Sequence, residues 1–189
     1  TGSGIRVGVW DDGIDGTHED FLLHDAGGAV TGTRLLTAGG GGDHGTAVAG
    51  VIGASGYRGA ACGTLPHLFR GMAPEVELFG WFPHPIWGPS ITHFASSISN
   101  GMDVSNHSYV QDTDGRYMSN TQQMDRLVRG TTDYRGSPVP PRPMTWAAGN
   151  NGRFPAYSSV EGYFSVEAPA KNVITVGAVI GNVAGSRNH

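Results

Sequence analysis

The chain has 189 residues, the size of one compact domain, and 38% of them are hydrophobic. Glycine occupies 31 positions, about twice its usual ~7%, and charged residues make up only 15%. This composition argues against a disordered chain, a coiled coil and an all-helical bundle. The formal net charge is -4 and Lys171 is the single lysine, so no basic stripe exists to bind phosphates and nucleic acid is not expected as a partner.

Neither a disulfide framework nor a membrane span is predicted. Cys62 is the single cysteine, which excludes a disulfide or a Cys-x-x-Cys metal site within the chain. The longest apolar stretch, residues 173–184, is interrupted by glycine and is shorter than the ~20 residues that a bilayer requires. Thr1 is not an initiator methionine and no signal-peptide pattern follows it, so a processed, secreted protein is permitted.

Strand patterns and helix patterns alternate along the chain. A buried strand at 5–10 ends in a turn, and after the glycines at 39–42 a helix of small and apolar residues begins near His44. Further strands are predicted at 76–82, 102–108, 144–148 and 173–180, and further helices at 90–100 and 117–128. This order predicts an α/β fold with a mostly parallel, twisted sheet and helices on both faces.

Polar tripeptides follow three of these strands. They are Asp11-Asp12-Gly13, Asn106-His107-Ser108 and Gly149-Asn150-Asn151. Because functional groups in open α/β sheets gather beyond the carboxyl ends of the strands, we expect a site there.

Asp11, His44 and Asn150 have the side chains that acyl transfer requires. A carboxylate beside a histidine holds the ring in one tautomer, so that its other nitrogen can take a proton from a hydroxyl. An asparagine amide can donate to a developing oxyanion. Taken singly, these residues also fit an Asx turn, a helix cap and an Asn-Asn-Gly turn.

Several motifs stand in a set order along almost the whole chain. The main three are VWDDGID at 9–15, DHGTAVAG at 43–50 and AAGNNG at 147–152; shorter ones are HEDF at 18–21, GMAP at 71–74, NGMDV at 100–104 and NVITVGA at 172–178. In these motifs the chain resembles the subtilisin-like serine proteases. The resemblance implies a subtilisin-like fold and peptide-bond hydrolysis through an acyl-enzyme, with His44 as general base and then acid, Asp11 orienting it and Asn150 holding the oxyanion.

The same resemblance implies which residues border the substrate. They are Ser108, Tyr109 and Val110 in one segment and Ala147, Ala148 and Gly149 in the other. Val110 stands where many relatives have glycine, so the shape of that wall is expected to differ. No cofactor is implied for the chemistry, and the expected partner is a polypeptide substrate.

Asp12 and Asp43 flank the proposed catalytic pair and are expected near a substrate's P2 side chain. Together with the Asp-Asp-Gly pattern and WAAGNNG at 146–152, they are similar to features of the kexin-like branch of the superfamily. Clustered carboxylates attract Arg or Lys. Two alternatives stay open: a modest preference for basic residues at P2 or P1, or the broad apolar preference of ordinary subtilisins.

The family's nucleophile lies in a Gly-Thr-Ser-x-Ala motif, and no serine of this chain has that context. We therefore interpret residues 1–189 as the N-terminal portion of one peptidase domain, with the serine on a separate chain or on a segment missing by truncation. The alternative is a non-catalytic pseudoprotease that binds peptides or a partner protein. A third interpretation, an unrelated α/β ligand-binding domain, requires Asp11 and His44 to lie far apart.

Two further expectations come from the resemblance. Asp20 lies at the position where many relatives bind a structural calcium ion through a carboxylate, although the residues from 57 to 70 form an insertion without the usual asparagine. Secretion, to the exterior or the periplasm, is expected because processed relatives act outside the cytoplasm.

Overall fold

The computed structural model describes residues 1–63, 65, 67–81, 91–109, 117–133, 135–149 and 169–177. The strands are β1 (Arg6–Trp10), β2 (Leu22–His24), β3 (Val30–Thr33), β4 (Leu35–Thr37), β5 (Glu77–Trp81), β6 (Val104–His107), β7 (Thr131–Thr132), β8 (Pro138–Val139), β9 (Met144–Ala147) and β10 (Ile174–Val176). The helices are a short 3-10 turn (Glu19–Phe21), α1 (Asp43–Gly53), α2 (Tyr57–Ala61), α3 (Ile91–Ser99) and α4 (Ser119–Arg129). None of the described helices is long and apolar enough to cross a bilayer.

Within the described part of the chain, a six-stranded sheet in the order β10-β9-β6-β1-β5-β4 organises the fold. All of its pairings are parallel, which confirms the predicted parallel sheet. β1 is central and pairs with β5 on one side and β6 on the other. The carboxyl ends of β1, β6 and β9 therefore meet at one edge, where the polar tripeptides were expected.

Alternate residues of β1 face opposite layers of the protein. Val7 and Val9 pack in a buried cluster with Ala49 of α1. Trp10 packs in a second buried cluster with Phe94 of α3 and with α4. Because successive strand side chains point to opposite faces, these two clusters place helices on both faces of the sheet, as predicted.

The short elements were not predicted. β2 and β3 form an antiparallel hairpin, β4 adds an edge strand, and α2 begins at Tyr57 inside the segment interpreted as an insertion loop. Elements of three to five residues are too short for hydrophobic periodicity to distinguish them from loops. The last predicted strand, 173–180, is described as β10 only to Val176, and residues 178–180 lie outside the described part of the chain.

Candidate active site

Asp11 and His44 are brought together by the two central elements of the fold. Asp11 is the residue after β1 and is 4% exposed, and His44 lies in the first turn of α1. The Oδ1 atom of Asp11 is 2.7 Å from Nδ1 of His44. This distance excludes the interpretation of the chain as an unrelated domain with the two residues far apart.

Hydrogen bonds fix the carboxylate of Asp11. The backbone N–H of Asp11 donates to the carbonyl of Trp81 at 3.0 Å. The Oδ1 atom of Asp11 also accepts the backbone N–H of Asp12 at 2.9 Å. Its Oδ2 atom is buried and has no partner among the described residues. The carboxylate is thus held with one oxygen directed at the histidine.

The carboxylate changes the acid-base behaviour of the histidine. The hydrogen bond to Asp11 is the largest cause that raises the pKa of His44 above its ordinary value, and the charges of Asp11 and Asp12 add to it against partial burial. The ring itself is 62% exposed, so its second nitrogen is accessible. A histidine held and polarised in this way is suited to accept a proton from a nucleophile.

The expected substrate segments follow two neighbouring strands. His107 of β6 is in register with Trp146 of β9, so Ser108 and Tyr109 leave the sheet beside the residues after β9. The backbone N–H of Ala148 donates to the carbonyl oxygen of Val176 in β10 at 2.9 Å. Gly149 has a φ of 105°. Ala147 is the last residue of β9. Val110 and Asn150 lie outside the described residues, so the oxyanion role of Asn150 and the wall at Val110 stay predictions.

The two flanking carboxylates have different surroundings. Asp12 is exposed, but its Oδ1 atom accepts the backbone N–H of Gly45 at 2.6 Å. Asp43 is exposed and is the first residue of α1. Asp43 directly precedes His44 in the chain, whereas Asp12 directly follows Asp11 and contacts the helix that carries His44.

Asp20 lies in the 3-10 turn, and its carboxylate caps the first turn of α2. Its Oδ1 atom accepts the N–H of Arg58 in α2 at 2.9 Å and lies 3.3 Å from the hydroxyl of Ser55. The guanidinium of buried Arg34 donates to the backbone carbonyl of Asp20. The part of the chain that the structure describes holds no group of three or more His, Cys, Asp or Glu suited to a metal. Because calcium needs several oxygen ligands and Asp20 already accepts the backbone N–H of Arg58, these surroundings fit a cap better than a cation. Calcium at Asp20 stays a prediction.

A row of aromatic rings beneath the site was not predicted. Trp81, Trp10, His107 and Trp146 are in register across β5, β1, β6 and β9. Neighbouring ring centroids are 5.6, 5.6 and 4.1 Å apart. The sequence does show a large ring at or next to the end of each of these strands, and that repetition is the signal that could have revealed the row.

His107 is the centre of this row. It is fully buried and its Nε2 atom is 2.9 Å from the hydroxyl of Ser105. Burial lowers the pKa of His107 to about 3, so the ring is neutral near pH 7. Its place between Trp10 and Trp146 ties β1, which precedes Asp11, to β9, which precedes Asn150.

Comparisons with known proteins show the family of the chain and the similarity of its fold. The family model described as the subtilase family, peptidase S8, matches residues 2–189. Similar solved structures include the prenylagaramide maturation protease PagA, 20% identical with a TM-score of 0.60, covering 93% of this chain and 54% of that one. Another is the CspB protease of Clostridium perfringens, 18% identical with a TM-score of 0.49, covering 81% of this chain and 37% of that one. No curated protein gives a significant match. This chain spans about half the length of PagA. The chain belongs to the subtilase family.

Proposed function

We propose that the protein is a serine endopeptidase that hydrolyses polypeptides through an acyl-enzyme. The observation that carries the proposal is the 2.7 Å hydrogen bond between buried Asp11 and exposed His44. A serine hydroxyl on a further segment attacks the peptide carbonyl while Nε2 of His44 takes its proton. His44 then gives that proton to the leaving amine, and an ester to the serine remains. Water, activated by His44, hydrolyses the ester and restores the serine. Asn150 donates to the oxyanion in both halves of the reaction.

The serine is proposed to lie on a segment that continues the domain beyond residues 1–189. Among the described residues, β10 is the outer strand of the sheet on the side of β9. Its apolar residues Ile174 and Val176 are 58% and 55% exposed. An exposed apolar edge strand presents backbone groups and side chains that another strand can cover. We therefore propose that a C-terminal segment, on the same chain or a separate one, packs here and carries the nucleophile.

The substrate is proposed to be a polypeptide encountered outside the cytoplasm. Secretion is supported by the family assignment, since members are commonly exported. Exposed Asp43 and the second carboxylate oxygen of Asp12 favour a basic P2 side chain by charge. A broad apolar preference is the competing outcome of substrate profiling.

The test is cleavage of a peptide library by the complete protein, with His44→Ala as the matched inactive variant. We expect cleavage that His44→Ala abolishes and that improves when Arg or Lys occupies P2. Cleavage unchanged in His44→Ala contradicts the mechanism. Cleavage after Leu, Phe or Met that equals or exceeds cleavage after basic residues, with no gain from Arg or Lys at P2, contradicts the basic preference. That result leaves the proposed protease function unchanged. Peptide binding without cleavage by the complete protein supports the pseudoprotease alternative.

A further inference from the structure

Asp12 contacts the first turn of α1 in addition to lying near the expected P2 position. Its Oδ1 atom accepts the backbone N–H of Gly45 at 2.6 Å. Gly45 lies in the first turn of α1, where backbone N–H groups have no partner within the helix. The residue at the N-cap position is Gly42, which has no side chain to serve as a cap. Asp12, 33 residues away in the sequence, supplies the missing acceptor.

The glycines around His44 make room for this carboxylate. A Cβ atom on Gly42 would lie 2.0 Å from the carboxylate of Asp12. A Cβ atom on Gly45 would lie 2.2 Å from the carbonyl oxygen of Gly13 and 2.9 Å from Oδ1 of Asp12. The φ angle of Gly42 is -86°, which any residue adopts, so space and not conformation requires glycine there. The glycine at position 42 is thus explained by the close approach of the Asp12 side chain, which follows β1.

Two adjacent carboxylates therefore hold His44 in different ways. Asp11 holds the ring of His44 through Nδ1. We propose that Asp12 is a positioning residue, which holds the backbone of the same helical turn through Gly45 and so fixes where the His44 ring sits relative to the nucleophile. The catalytic consequence rests on the proposed protease function, whereas the capping role does not.

The direct test is hydrogen exchange of the Gly45 amide, measured by NMR in the complete protein. A hydrogen bond to a charged acceptor is stronger than one to a neutral acceptor. We therefore expect exchange about tenfold to a hundredfold faster in Asp12→Ala and about fivefold faster in Asp12→Asn, which keeps an acceptor oxygen. Equal exchange rates in the wild type and Asp12→Asn, or no protection in the wild type, overturn the proposal.

A second pair of variants disturbs the contact without removing the charge. Gly42→Ala places a methyl group against the Asp12 carboxylate, whereas a Cβ atom on Gly41 meets nothing within 4 Å. We expect faster Gly45 exchange in Gly42→Ala and wild-type exchange in Gly41→Ala. Identical exchange in these two variants overturns the proposal, even if Asp12→Ala fails to fold.

Steady-state kinetics separate positioning from substrate binding. With substrates that lack a basic P2 residue, positioning predicts that Asp12→Ala lowers kcat about tenfold or more with little change in KM, and that Asp12→Asn partly restores kcat. Glu75→Gln, which neutralises one distant surface charge, serves as the charge control. An unchanged kcat in Asp12→Ala, with a higher KM for basic P2 substrates as the sole effect, overturns the positioning role. If the protein cleaves no peptide, the proposed function is wrong. The exchange measurements still show whether Asp12 caps the helix at Gly45.

Discussion

Acidification is expected to destabilise the fold through His107. The ring is buried between Trp10 and Trp146, and its pKa falls from 6.5 to about 3 on folding because burial disfavours the charged form. Since the folded pKa lies below the unfolded one, this contribution to stability is complete above pH 6.5 and is lost as the pH falls toward 3. At ~1.36 kcal/mol per pKa unit, the full loss is about 5 kcal/mol. Between pH 8 and pH 5 the loss is about 2 kcal/mol.

The assay is urea unfolding of the wild type and His107→Phe at pH 8, 6.5 and 5. Phenylalanine keeps a ring in the stack but does not titrate. The substitution also removes the hydrogen bond between His107 and Ser105, and that loss costs the same at each pH. All other groups titrate alike in both proteins, so the difference between them isolates His107. We expect the wild type to lose about 2 kcal/mol more than His107→Phe between pH 8 and 5. Equal losses in the two proteins would refute the reasoning.

Three more predictions concern Asp11, Asp20 and the edge strand. Asp11→Asn removes the main cause of the raised pKa of His44, so an NMR titration should show a lower His44 midpoint, and an unchanged midpoint would contradict the geometry. Asp20→Ala removes the acceptor of Arg58 N–H, so urea unfolding should show a loss of roughly 1–3 kcal/mol; calcium that raises the Tm of the wild type but not of Asp20→Ala would instead favour the cation site. Val176→Lys should destabilise the complete protein by roughly 1.5–3 kcal/mol if a further segment covers β10, and unchanged urea unfolding would mean that the edge stays open.

The pairing of Asp11 with His44 was predicted from two motifs taken together, because each residue alone also fits a turn or a helix cap. The run of residues before Asp11 has the alternation of a buried strand, and the small residues after His44 have the spacing of a tightly packed helix. Parallel strands with helical crossovers bring strand ends and helix starts to one edge, so the local patterns predicted a site there. The pairing itself came from the resemblance of the two motifs to those of the subtilisin-like proteases.

The contacts that hold the pair were not predictable in the same way. The bond from Asp12 to Gly45 depends on how closely the glycine-rich segment approaches the turn after β1, and nothing in the local pattern sets that distance. The ring row at His107 depends on the register between strands that are far apart in sequence. Side-chain periodicity predicts which face a residue occupies but not which residue of the next strand lies opposite it.

The central claim is that Asp11 and His44 activate a serine supplied by a further segment. The most direct measurement is labelling of the complete protein with a fluorophosphonate, followed by mass spectrometry to locate the label. We predict a single labelled serine outside residues 1–189, with labelling abolished in His44→Ala and strongly slowed in Asp11→Asn. Labelling that is absent, that occurs on a serine within residues 1–189, or that is unchanged in His44→Ala would contradict the account.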